Sequence, residues 1–192
     1  MRIVDGKIYI KIIFFGTALA GKTTSLQWLF QHLIPADMKI TDQIRSVKTS
    51  FGQTLLFDFV PVQLHQNIIV RFYAATGQDY YTSTRKLIFN NVDGVFFVID
   101  SQKKEMEHNK EFVDEFKKYL QTIKELQEAK VIVLYNKQDL DEVYNPEDLE
   151  KELRLTQYDS WPTCALTGMN LRASFQVMIC DLLKKLKEKG DI

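Results

Sequence analysis

The run Gly16-Thr17-Ala18-Leu19-Ala20-Gly21-Lys22-Thr23 constrains this chain more than any other feature. It fits G-x-x-x-x-G-K-[ST], a loop that cradles polyphosphates. Its flanks fit as well. Residues 8–15 are apolar and β-branched and read as a strand, and residues 24–33 place Leu26, Leu29, Phe30 and Leu33 at helical spacing. Such a loop points backbone N–H groups at anionic oxygens, and the following helix adds the positive end of its dipole. Gly16 and Gly21 permit backbone approaches that a Cβ would obstruct. Lys22 is expected to reach the β- and γ-phosphates as a point charge, Thr23 to ligate Mg²⁺, and Thr24 to add a donor near the α-phosphate.

A phosphate loop does not choose the base. Residues 130–135 read as a buried strand ending in Asn136-Lys137-Gln138-Asp139. This N-K-x-D sits at the carboxyl end of a strand, where ligands bind in open α/β sheets. Asp139 can accept hydrogen bonds from guanine N1–H and the exocyclic amine. Adenine offers no such donor pair, so discrimination follows from leaving a carboxylate unpaired. The Lys137 stem can lie against the base, and Asn136 can tie this loop to the phosphate loop. The tetrapeptide also argues against a kinase or another ATPase built on the same phosphate loop. Residues 161–168 follow the next strand position. There Cys164-Ala165-Leu166 looks like the S-A-K-like loop of GTP-binding folds, which offers a backbone N–H to guanine O6, though only Ala165 matches well. The same segment also reads as a plain strand-to-helix loop, N-capped at Thr167 or Asn170.

With these motifs the chain resembles the Ras-like small GTPases, over residues 16–168. It resembles most the MglA-like subfamily of gliding-motility GTPases. That narrower resemblance rests on Gly-Lys-Thr-Thr-Ser-Leu-Gln at 21–27 and Thr-Leu-Leu-Phe-Asp-Phe-Val-Pro at 54–61. It rests also on Gly77-Gln78, residues 83–88 and residues 92–95. The resemblance implies a three-layer α/β P-loop NTPase fold. Its sheet is mostly parallel and six-stranded, with one antiparallel strand. It further implies a switch that hydrolyses GTP to GDP with Mg²⁺, with switch segments near 36–54 and 74–86. Gly77 would sense the γ-phosphate and Gln78 would orient the attacking water. Implied partners are an activating protein, of roadblock-domain type in this subfamily, and an effector.

Departures from the pattern matter. Ala74 stands where most Ras-like proteins carry the aspartate of D-x-x-G, which holds a magnesium-bound water. Asp58, a lone charge in the apolar run 55–60, is a candidate replacement; a cross-strand ion pair with Arg71 is the competing expectation. The switch threonine on the metal is expected at Thr54, with Thr41 and Thr49 as rivals. Ala18 crowds the γ-phosphate and predicts slow intrinsic hydrolysis. Gln53 stands where MglA-like proteins carry an arginine assigned to catalysis, so Arg45, Lys48 or a partner would have to supply that charge. These three departures support an alternative: a GTP-bound scaffold that hardly turns over.

The 192 residues suit one domain, 1–192. Hydrophobic content of 45% argues against disorder. Lysines plus arginines and acids balance at 25 each, which gives no electrostatic case for nucleic acid or an anionic membrane. Two cysteines, Cys164 and Cys180, suit a reducing cytoplasm. Neither terminus carries a lipidation signal, and the expected state is a monomer. Asp5-Gly6 signals a hairpin turn and an extra N-terminal edge strand. Residues 36–53 read as an irregular polar segment. Helices are expected over 80–90, 110–126, from Pro146, and over 170–189, and a strand over 94–100.

Overall fold

The computed structural model describes residues 1–41, 45–48, 54–75 and 88–190, with backbone alone for 45–48 and 54–59. Eight strands form one sheet. They are β1 (Arg2–Val4), β2 (Lys7–Gly16), β3 (Arg45–Lys48), β4 (Thr54–His65), β5 (Ile68–Ala75), β6 (Gly94–Asp100), β7 (Lys130–Asn136) and β8 (Asp159–Pro162). Their order is β3-β4-β5-β2-β6-β7-β8, with β1 paired to β2. β5, β2, β6, β7 and β8 run parallel, while β4 is antiparallel to β5, β3 to β4, and β1 to β2. The six expected strands and the N-terminal edge strand are therefore present. β3 is an addition. It lies within the segment read as irregular, where polar residues hide a strand that alternation does not reveal.

Among the described residues, four helices longer than one turn cover the sheet: α1 (Lys22–His32), α2 (Met106–Thr122), α3 (Pro146–Glu152) and α4 (Leu171–Lys189). The period-two alternation of the strands sorts two cores. Ile10, Ile12, Phe14, Phe72, Phe96, Val98 and Leu134 face α1 and α4. Ile13, Phe15, Val95, Phe97, Val133 and Tyr135 face α2 and α3. α2 starts four residues earlier than expected and ends at Ile123, whose ψ of 107° breaks the helix before a last turn at Lys124–Gln127. Asn145 caps α3 by accepting from the Glu147 N–H at 2.9 Å, with Pro146 in the first turn. Asn170 precedes α4 but does not cap it. Its φ is 57°, and its side-chain amide donates to the Pro162 carbonyl at 2.8 Å. The helix expected over 80–90 falls mostly outside the described residues.

The β4–β5 register decides one expectation. Asp58 stands opposite Ala74, whereas Arg71 stands opposite Pro61. Residues an odd number of positions apart on a ladder belong to opposite faces, so the register sets Asp58 and Arg71 on opposite faces of the sheet rather than as a cross-strand pair. The Arg71 guanidinium lies instead over the Tyr9 ring, 4.1 Å from its centroid.

The second core is strongly aromatic. Phe116 of α2 is fully buried and its ring lies 4.7 Å from that of Phe97 and 5.8 Å from that of Phe15. Phe116→Ala should cost about 3–5 kcal/mol of unfolding free energy in a urea titration. On the same sheet face, Lys11 Nζ donates to the Asn90 carbonyl at 2.9 Å and lies 5.1 Å from the Tyr73 ring centroid. Burial, partly opposed by the Asp93 carboxylate, lowers its pKa to about 8. The unfolded chain keeps that proton up to the ordinary lysine value of 10.5. Stability should therefore rise between pH 8 and 10.5, and comparison with Lys11→Met in the same titrations should remove that rise.

Candidate functional site

The carboxyl ends of β2, β6, β7 and β8 lie at one edge of the sheet, and the three sequence motifs follow β2, β7 and β8 there. β2 ends in Gly16, at φ 147°, where a Cβ would stand 2.1 Å from the Val98 carbonyl oxygen. Only glycine lets the loop leave the strand this close to β6. The loop closes on itself through Lys22, which is buried and whose ammonium donates to the Gly16 carbonyl at 2.9 Å and to the Thr17 carbonyl. Gly21, at φ 101°, starts α1, and no side chain caps that helix. An uncapped helix start facing a glycine-bounded loop fits an anion, because backbone donors and the dipole converge there. Thr23 stands exposed in the first helical turn, Thr24 half-buried beside it, Ala18 exposed, and Ala20 buried. Leu19 is 88% exposed at φ 61°, an unfavoured angle for a leucine.

Asn136, the last residue of β7, joins three segments. Its side-chain amide donates to the Ala20 carbonyl at 2.7 Å, and its oxygen accepts from the Ala165 N–H at 2.9 Å and the Thr163 hydroxyl at 3.3 Å. The carboxamide is only 2% exposed. It is reached because Gly21 has no side chain: a Cβ there would stand 2.2 Å from Asn136 Nδ2. The tie between the two loops expected from the sequence is thus present, and Thr163 adds a contact that the sequence reading did not single out. The Ala165 N–H is occupied by Asn136, so of the two residues expected at the base, Leu166 holds the next amide. The Leu166 side chain is 75% exposed.

Lys137 turns away from the strand at φ 70°. Its ammonium lies 2.6 Å from Asp100 Oδ2. Asp100 ends β6, is buried, and also accepts from the Gln102 backbone N–H and side-chain amide, each at 3.1 Å. This acid was missed in the sequence. Its signal was a single charge closing the apolar strand Gly94–Asp100. Gln138 donates from its backbone to Thr163 at 3.1 Å and from its side chain to Ser101 Oγ at 2.8 Å, which locks the loop between β6 and β8. Asp139 stands exposed at the rim.

The remaining expected residues divide sharply. Thr54 begins β4 and Asp58 lies within it, next to Ala74 on the ladder. Gly77, Gln78, Thr49 and Gln53 lie outside the described residues. Thr41 is described and half-buried, beyond a short turn at Ala36–Met38. No group of three metal-ligating side chains occurs among the described residues. Among the described residues no helix is long and apolar enough to cross a membrane.

Comparison with known proteins agrees with this geometry. The model of the ADP-ribosylation factor (Arf) family matches residues 2–185. The mutual gliding-motility protein MglA of Myxococcus xanthus (strain DK1622) is 33% identical over 189 residues, 96% of this chain and 95% of that protein. The fold is similar to that of the Arl6 BBS3 small GTPase from Trypanosoma brucei with bound GppNp. The TM-score is 0.70 at 15% identity, covering 92% of this chain and 99% of that one. A match over nearly the whole chain to the family, together with an MglA relative at this identity, places the protein: it belongs to the Arf/Ras-like small GTPase family.

Proposed function

We propose that this protein is a GTP-hydrolysing molecular switch that works as one domain, and that Asn136 is the observation carrying the reading. One carboxamide binds both the phosphate-loop backbone and the loop after β8, so a nucleotide can span the two loops. Gly16, Thr17, Ala18, Leu19, Ala20 and Gly21 wrap the phosphates with backbone N–H groups. Lys22 exchanges its loop carbonyls for phosphate oxygens. Thr24 adds a donor, Lys137 lines the base, Asp139 reads its N1 edge, and the amide of Leu166 meets O6. Thr23, Thr54 and Asp58 would hold Mg²⁺, which contributes positive charge against the charge gathering on the transferred phosphate. The register supports Asp58 in this role, since it stands beside Ala74, where the family's usual aspartate is missing.

Hydrolysis needs little covalent help from the protein; positioning and electrostatics supply most of the acceleration. Gln78 orients the water and the Gly77 N–H meets the γ-phosphate. The methyl of Ala18 intrudes on that space, so turnover is slow until an activating protein arrives. A roadblock-domain protein of the kind associated with MglA-like GTPases fits as the activator. Switch segments near 36–54 and 74–86 follow the γ-phosphate and present its state to an effector.

Two measurements test these readings. With purified protein and stoichiometric GTP, phosphate release should depend on Mg²⁺, and Gln78→Leu should slow it by about tenfold or more. Equal rates in both proteins, with the activator included, favour the GTP-bound scaffold instead. Asp139→Asn should exchange guanine for xanthine selectivity, because an amide can donate to the C2 carbonyl that replaces the exocyclic amine. Displacement of a fluorescent GDP by XDP and GDP reads this directly. Displacement of GDP from the wild type by ADP as readily as by GDP would overturn the base assignment.

A further inference from the structure

The turn after β8 is closed by its own bonds. The Gly168 N–H donates to the Cys164 carbonyl at 2.8 Å, and Cys164 and Met169 form an isolated bridge. Beside the Asn136 tie to Ala165, a second contact seats this turn. Gly168, at φ 79°, rests on the Trp28 indole so closely that a Cβ there would stand 1.9 Å from both Cε2 and Cζ2. A rigid bicyclic ring cannot swing aside as a flexible side-chain end could. The ring is held in its turn by His32, stacked on it at 4.7 Å between centroids and 18° between planes. The His32 Nδ1 lies 3.0 Å from the Trp28 carbonyl oxygen, which fixes the pair on one face of α1. α1 is the helix that starts at the phosphate loop. The base end and the phosphate end of the site are therefore joined twice, by a polar tie at Asn136 and by an aromatic seat at Trp28.

We infer that Trp28 is a positioning residue for purine recognition: the indole sets the height of the 164–169 turn, and hence where its backbone N–H meets guanine O6. The inference rests on the guanine reading above. Ordinary packing of the same contact would have another signature. It would weaken every ligand alike as the fold loosened. A positioning role weakens only ligands that carry the oxygen.

The probe is a pair of diphosphates, GDP and 2-aminopurine riboside diphosphate. The second lacks O6 and, with it, the N1–H that Asp139 reads; it keeps the exocyclic amine, the sugar and the phosphates, and each ligand is compared only with itself across the variants. Dissociation constants are measured for the wild type, Gly168→Ala, Trp28→Leu and the double variant, with thermal melting alongside. Gly168→Ala presses a methyl on the indole and also strains the backbone at φ 79°; both displace the turn, and GDP should weaken by about tenfold, the worth of one hydrogen bond. The 2-aminopurine ligand should stay within about twofold of the wild type. Trp28→Leu should also weaken GDP selectively. It removes the obstruction, so the double variant should bind GDP better than Gly168→Ala alone. Unchanged GDP affinity in both single variants, or equal loss of both ligands, overturns the inference. If Gly168→Ala does not fold, Trp28→Leu carries the comparison by itself. Failure of the wild type to bind GDP at all would instead remove the guanine reading, and the inference with it.

Discussion

A buried carboxamide with every polar atom engaged is the interaction on which the rest of this site depends. Asn136 reaches Ala20, Thr163 and Ala165 together, and it does so from the end of a strand buried from Val131 onward. Buried amides left unpaired cost about 1–3 kcal/mol each, so the three segments stand or fall as a unit. The glycine at 21 is the complement of this amide. It supplies the missing volume and the left-handed backbone angle at once. One side chain and one absent side chain tie loop, helix start and base-side turn together at their centre.

Around that centre the site is assembled from strained or tightly confined pieces. Leu19 and Lys137 both hold positive φ, which costs roughly 1–3 kcal/mol each in non-glycine residues. The Asp100–Lys137 pair brings a buried carboxylate against an ammonium at the base-side loop. Buried pairs of this kind return little net stability, yet they fix the direction of a long side chain. The same exchange of stability for placement runs through the site, while the aromatic core under α2 supplies the stability that permits it.

Much of this was legible in the sequence. The phosphate loop declared itself through two glycines at fixed spacing, and N-K-x-D through its place after a β-branched strand. β6 and most of β7 could be read because both faces are buried and their runs are almost continuously apolar, and β2 because its second half is. The hairpin at Asp5-Gly6 was legible because Asp-Gly suits the positive φ that a type I′ two-residue turn needs at both positions, here 50° and 71°. What escaped were relations between distant residues. Strand register is not written in a sequence, so Asp58 seemed free to meet Arg71 until the ladder set it opposite Ala74. β3 escaped because its residues lack alternation, and Asp100 because its partner Lys137 lies on another strand's loop. Asn170 looked like a helix cap, but its amide found the Pro162 carbonyl instead.

The N-terminal hairpin has a consequence for how such chains coexist at high concentration. β2 is flanked by β5 from Ile8 onward, but β6 joins only at Ile12. Without β1, the stretch from Lys7 to Tyr9 would present a notch of bare amides and carbonyls in the interior of the sheet, open to any wandering strand from a neighbouring molecule. The pairing of Arg2, Ile3 and Val4 with that stretch covers the notch from within and leaves in its place an edge only three residues long, which offers a neighbouring strand little to pair with.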